Sequence, residues 1–259
     1  MAKSRKSGNK KDNRPKGGPS RGVGMRLNKY VAHSGICSRR QAAEYVKEGL
    51  VSVNGEVVRE PGYQVEKGDE IRYKGKLIKP EENFVYLLMN KPKNVITTVS
   101  DDRGRKTVMN LLKGKIEERI FPVGRLDRDT TGLLLLTNDG DLAKKLTHPS
   151  HNVKKVYHVV LDKPVTEQDL TKIYQGLELE DGKALVDGVA HVQGKPKNEV
   201  GIEIHIGRNR IVRRIFEHLG YQVVRLDRVY MGGLTKKDLP RGRWRHLTQQ
   251  EVIMLKHFT

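Results

Sequence analysis

Cysteine is almost missing from this chain of 259 residues, in which Cys37 stands alone. One thiol excludes an intrachain disulfide and any zinc site built on cysteines. It fits a reduced compartment, and a cytoplasmic location is expected. Cys37 lies beside a helix start but has no second cysteine to react with, so it reads as a packing residue. Aromatic residues make up only 5%, too few for a long base-stacking platform. No apolar run approaches the ~18 residues of a membrane-crossing helix. The N-terminus lacks the apolar stretch of a secretory signal, so no membrane partner is expected. Neither a P-loop nor a GxGxxG after a strand occurs, which leaves nucleotide and dinucleotide cofactors unsupported. Acid is also scarce. Lys and Arg total 50 against 31 Asp and Glu, a formal charge of +19. An excess of this size points to a polyanion, nucleic acid above all, rather than to a basic surface kept for solubility or an anionic membrane.

Three segments follow from composition. Residues 1–24 hold almost no apolar side chains and carry Lys3, Arg5, Lys6, Lys10, Lys11, Arg14, Lys16 and Arg21 against Asp12. Such a stretch buries too little surface to offset its ordering entropy. A disordered basic arm is expected, either adding salt-sensitive phosphate affinity or acting as a passive solubilising tail. Residues 25–75 form a compact unit. Leu27, Tyr30 and Val31 share one helical stripe and Gly35 ends it. Ser38-Arg39-Arg40-Gln41 reads as a capping box, followed by a helix whose buried side carries Ala42, Ala43, Val46 and Leu50. Asn54-Gly55 inside Val51–Val58 suits a type I′ hairpin turn. Residues 76–83 read as a linker. Residues 84–259 have the apolar density of a full domain, with strands at 84–89, 133–137, 156–161 and 200–206 and helices between several of them. Without a strict βαβ repeat, the fold class is α+β.

The most informative stretch is Gly124-Arg125-Leu126-Asp127-Arg128-Asp129-Thr130-Thr131-Gly132, which runs into Leu133-Leu134-Leu135-Leu136. A charged loop feeding a buried strand holds Asp127 at the edge of the core. An aspartate between arginines stays ionised and suits a nucleophilic or electrostatic role. The same residues allow other readings. Asp127, Asp129 and Thr131 match the start of an EF-hand loop, but its twelfth position is Asn138 where glutamate is needed. With Asp101, Asp102, Asp139 and Asp141 they could form a two-metal site. The run 138–141 is explained more simply as a turn and an aspartate N-cap for a helix over 142–146. Asp127 could also be a turn aspartate in a surface ion pair. His148 and His151 offer two metal ligands without a third, so no metal is expected.

A second patch is Gly207-Arg208-Asn209-Arg210-Ile211-Val212-Arg213-Arg214. Val212, Ile215, Phe216 and Leu219 dock a helix on the core, and Gly220 ends it. Arg210, Arg213 and Arg214 crowd its other faces. A phosphate backbone or a buried aspartate would relieve their repulsion; distant acids on an exposed face would do so too.

Taken together, Gly124–Leu134, Lys154-Lys155-Val156-Tyr157 and Arg208–Arg214, in that order behind two short basic helices and a hairpin, resemble the ribosomal RNA pseudouridine synthases with an N-terminal S4 domain. The stretches Gly132–Ser150 and Leu239–Trp244 look most like the branch acting on large-subunit (23S) rRNA, with a 16S target as the alternative. The resemblance covers residues 25–259. It implies a small S4-like α/β RNA-binding domain and a larger catalytic domain on a mixed, largely antiparallel sheet with flanking helices. By residue, it implies that Asp127 is the catalytic aspartate, that Tyr157 stacks on the uracil and serves as base, and that Arg213 pairs with the aspartate. Arg125 would replace the flipped nucleotide and Leu226 would lie under the base. The S4 likeness implies that Arg26, Lys29, Arg39 and Arg40 meet RNA phosphates, and Arg210 and Arg214 would add to RNA binding. No cofactor, metal or protein partner is implied, and the chain is expected to act as a monomer on rRNA. The route through an ester or a glycal stays open, as does a non-catalytic RNA-binding or ribosome-assembly role.

Overall fold

The structure, a computed structural model, describes residues 24–112 and 114–257. The expected basic arm, Gly24 apart, lies outside the described residues. The chain divides into two compact units, one reaching Pro80 and the other starting at Glu81. None of the described helices is long and apolar enough to cross a membrane.

In the first unit, helices Leu27–His33 and Arg39–Lys47 bury Leu27, Val31, Ala42 and Val46 together with Cys37. The Ser38 hydroxyl accepts from the Gln41 amide at 3.2 Å, so the predicted cap starts the second helix. These helices share a core with Val51, Val53 and Ile71 of a four-stranded sheet. Asn54 and Gly55 both take positive φ, 52° and 88°, as the type I′ turn requires. Lys74 and Gly75 do the same at 49° and 78°, which corrects the linker. Strand Lys76–Leu77 pairs with Ile71–Tyr73, and the polar composition of this exposed edge hairpin had concealed it.

The second unit is built on a nine-stranded sheet. Its main strands are β1 (Tyr86–Lys91), β2 (Thr131–Thr137), β3 (Lys155–Leu161), β4 (Gly188–His191), β5 (Glu199–Ile204), β6 (Val223–Met231) and β7 (Trp244–His246). They lie in the order β4-β5-β3-β6-β2-β1-β7, with Phe121–Pro122 beside β2 and Leu234–Thr235 beside β6. All neighbouring pairs along the main path are antiparallel except β6 with β2. This is the mixed, largely antiparallel sheet that the family resemblance implied.

Four helices cover the sheet: α1 (Gly140–Thr147), α2 (Glu167–Gln175), α3 (Ile211–His218) and α4 (Gln249–His257). Leu134 and Leu136 of β2 join the core formed with α2 and α3, whereas Leu133 and Leu135 join the one formed with α1 and α4. A strand packed on both faces must be apolar at every position, which explains the four leucines. β5 alternates between buried and half-buried positions, as a strand with one wet face should. α1 starts two residues earlier than expected. Its N-cap is Asp139, which accepts from the Leu142 amide at 2.9 Å and from the Tyr86 hydroxyl at 2.8 Å.

The parallel contact of β6 and β2 sets Asp227 opposite Thr131 and Arg228 opposite Gly132. At Gly132 (φ 105°) a Cβ would stand 2.2 Å from the Arg228 carbonyl oxygen and 2.6 Å from its amide nitrogen. Only glycine permits this approach. It brings β6 against the beginning of β2, where the charged loop enters the sheet.

Candidate active site

The loop 124–130 is organised from beneath by Lys91, at the end of β1. This side chain is fully buried. Its Nζ donates to the carbonyls of Thr130, Asp127 and Pro92 at 2.8, 3.0 and 3.1 Å, with Arg128 O at 3.4 Å. Burial lowers its ammonium to about 8, while the nearby Asp129 and Asp127 charges act in the opposite sense. The Thr97 hydroxyl donates to Leu126 O and accepts from Leu126 N. The loop backbone is therefore fixed while its carboxylates point elsewhere. Sequence reading ended a strand near Lys91 and gave it no role. A lysine closing a buried strand was the available signal, since it can be buried there only among carbonyl acceptors.

Beside this loop lies a cavity of about 240 Å³. Arg125, Asp127, Tyr157, Arg210 and Leu226 all line it, as do Lys155, Arg208 and Arg228. Leu226 and Tyr157 are buried in its wall, Asp127 is half-buried and Arg125 is exposed. Asp127 is the one acid in a lining that holds five Arg and Lys side chains. Residues far apart in sequence meet here because β3 and β6 are neighbours and β6 runs beside the start of β2.

The arginine pairing differs from the expected one. Arg210, not Arg213, faces Asp127, with Nη1 3.6 Å from Oδ2; its Nη2 is 3.7 Å from Glu217. Arg213 is buried in the first turn of α3, bridges to Asp129 at 2.8 Å and donates to Val223 O. The cause is local backbone geometry. Arg210 is the residue before α3 and takes the left-handed conformation (φ 47°, ψ 29°), so it leaves the helical face that Arg213 occupies. Arg214 is also engaged within the chain. Its guanidinium grips Asp181 through two bonds of 2.8 and 2.9 Å, and its Nε donates to Asn209 O. Arg208 donates to Asp181 and to the carbonyls of Gly182 and Lys183. The sequence left open whether phosphate, a buried aspartate or distant acids on an exposed face relieve the repulsion among these arginines, and in the structure the partly exposed Asp127, Asp129, Asp181 and Glu217 do so.

Four of the six carboxylates considered for metal have other partners. Asp127 and Asp129 face arginines, Asp139 caps α1, and the side chain and backbone of Arg105 hold Asp101 down to about 2. Thr131 donates to Leu226 O and Asp227. Among the described residues, Arg26, Arg39 and Arg40 are exposed and lie in the first unit, apart from the cavity's lining; Lys29 is half-buried there. Arg39 and Arg40 open a helix whose first turn has no acid.

Comparison with known proteins accounts for both units. Residues 85–218 match the family of RNA pseudouridylate synthases, and residues 25–71 match the S4 domain. The chain is 43% identical over 234 residues to the ribosomal large subunit pseudouridine synthase B of Bacillus subtilis (strain 168), covering 89% of this chain and 95% of that one. It is 37% identical to the dual-specificity RNA pseudouridine synthase RluF of Escherichia coli (strain K12), covering 89% and 78%. A crystal structure of a pseudouridylate synthase superposes with a TM-score of 0.64 at 32% identity, covering 89% of this chain and 99% of that one. The match to the catalytic family spans over half of the chain and the relatives span nearly all of it, so this chain belongs to the RNA pseudouridine synthases and carries an S4 domain ahead of its catalytic unit.

Proposed function

We propose that the protein isomerises a uridine of ribosomal RNA, in the large subunit (23S), to pseudouridine at the Asp127 cavity. The observation that carries this reading is the meeting of Asp127, Tyr157 and Leu226 in one small cavity beside Arg125 and Arg210. The relative named for the large ribosomal subunit supports the choice of RNA. A uridine flipped from its stack enters the cavity, and the few kcal/mol lost on unstacking are offset by contacts there. Tyr157 and Leu226 supply apolar walls for the base. Arg125, exposed at the mouth, is placed to take the space that the nucleotide leaves. Asp127 then initiates cleavage of the C1′–N1 bond, held towards the cavity by a backbone that Lys91 fixes. The base turns, C5 joins C1′, the C5 proton leaves and N1 gains a proton. No electrons are exchanged with a second reactant, so the reaction calls for no redox cofactor.

The S4 domain holds RNA phosphates through Arg26, Lys29, Arg39 and Arg40, and the chain acts as a monomer in the cytoplasm. The test is Asp127→Asn. With rRNA from cells lacking the gene as substrate, it should form no pseudouridine while its RNA affinity stays near wild type. Undiminished product would refute the assignment. Mapping pseudouridine in that same rRNA identifies the target, and a missing position in 16S rather than 23S rRNA would overturn the choice of subunit.

A further inference from the structure

The cavity wall contains a charge that the fold does not neutralise. Arg228, on β6, lines the cavity and is 3% exposed. Its Nε donates to Leu133 O at 2.7 Å and its Nη1 to the Tyr157 hydroxyl at 3.5 Å, while Nη2 is buried without an acceptor. Both partners are neutral. The adjacent carboxylate, Asp227, is turned to Lys236 and Arg241, as alternation along a strand demands. Lys155 lines the same cavity, and its Nζ donates to the carbonyls of Val153 and His205 at 3.0 and 2.8 Å. Burial lowers its ammonium to about 8 and the Arg228 charge adds to this, against the pull of Asp187.

A buried guanidinium is normally paired with a carboxylate, because an uncompensated buried charge is costly. Here, among the described residues, two cations hydrogen-bond only to carbonyls and a hydroxyl, and one donor is idle. A site that retains such a cost is a candidate for function, and the missing complement is an anion in the cavity.

The reaction can generate one. When C1′–N1 breaks and both bonding electrons leave with the base, the uracil is an anion whose charge is shared by N1, O2 and O4. That charge lasts until C5 attacks C1′. Loss of the C5 proton and protonation of N1 then restore the conjugated ring with no net change of charge. We propose that Arg228, backed by Lys155, is a catalytic group of this site that stabilises the detached uracil anion between bond cleavage and reattachment. This rests on the reading of the Asp127 cavity as the uridine site. Neutral bound uridine gains much less from the guanidinium than the anion does, so the contact favours the transition state over the ground state.

The experiment measures single-turnover pseudouridine formation at saturating rRNA from cells lacking the gene. Arg228→Gln keeps hydrogen-bond donors and removes the charge. It should lower the rate by ~100-fold, the scale for losing one preorganised anion-stabilising donor, with RNA affinity little changed. Arg228→Lys should recover at least about a tenth of the lost rate by restoring the charge. A glutamine variant close to wild-type rate, or a lysine variant no faster than glutamine, would overturn the proposal. Wild-type enzyme provides a test that does not depend on either variant folding. Barbiturate, an anionic pyrimidine at neutral pH, should inhibit at concentrations at least ~10-fold lower than neutral dihydrouracil. Equal inhibition, or none by barbiturate, counts against the anion site. Asp127→Asn is assayed alongside, because full activity there would remove the cavity assignment itself rather than the role of Arg228.

Discussion

Gly132 and Lys91 show how single residues set the geometry of this cavity. Gly132 lets two parallel backbones approach where a Cβ would meet the Arg228 carbonyl oxygen at 2.2 Å. Neither strand can yield without disturbing Arg228 and the loop before β2. Gly132→Ala should therefore destabilise the catalytic unit by ~3 kcal/mol or more, read as a fall in Tm of roughly 10 °C. A change below 2 °C, again set against the scale for a domain of this size, would show that the contact relaxes freely. In the sequence this glycine is one of 26. Its place before four leucines marked a loop-to-strand junction but not the strand it would meet. Lys91 was legible as the end of a strand and not as the anchor of the Asp127 loop, because its three acceptors in that loop lie 36 to 39 residues away.

Two elements depend on ion pairs that apolar periodicity does not reveal. The segment after β6 is tied to the sheet by Asp227, which pairs with Lys236 and Arg241; Arg241 also donates to Asn90. Burial alone would raise the Asp227 pKa, but hydrogen bonds and charges from Arg241 and Lys236 outweigh it and hold the carboxyl at about 2. A carboxyl depressed in the folded state contributes stability that is complete above its unfolded value near 4. That contribution is lost as the pH falls from there through about 2, and amounts to ~2 kcal/mol. Asp227→Asn should remove this acid limb from a denaturation series. It should also cost ~3 kcal/mol at neutral pH, because both cations lose their buried partner. An unchanged acid limb would refute the pairing.

The hairpin formed by Leu177–Leu179 and Gly182–Ala184 carries Asp181, which binds Arg208 and Arg214 on either side of Arg210. This clamp holds the 208–210 turn and with it the arginine facing Asp127. Asp181→Asn should reduce the single-turnover rate by ~10-fold through misplacement of Arg210. RNA affinity should hold or increase, since two arginines are released. A parallel loss of affinity would show that the hairpin serves binding instead. The helix that carries Arg213 was readable from its apolar spacing. The identity of the arginine meeting Asp127 was not, because it depends on the left-handed turn at Arg210.

For the whole molecule, the Arg39–Arg40 pair and the Asp127 cavity belong to different units. Arg39 and Arg40 are exposed at a helix start, where they oppose the helix dipole, so they contribute little to stability. Reversing both to glutamate should weaken RNA binding and flatten the slope of log affinity against log salt by about 2, if each arginine meets one phosphate. The single-turnover rate at saturating RNA should stay near wild type, since neither residue lines the cavity. A selective loss of that rate would place the pair in the chemistry rather than in the grip.

The sequence alone determined the partner class, from a charge of +19, and the two-unit α+β organisation, from apolar periodicity and capping signals. It also marked Asp127, because a charged loop entering a run of four leucines is a local pattern. Tertiary structure decided which arginine meets Asp127, what fixes the loop, and that Arg228 is buried at the cavity without a counter-charge. The last of these depends on the parallel contact of β6 with β2. That contact joins residues some 95 positions apart, and short-range sequence patterning does not encode a pairing at such a distance.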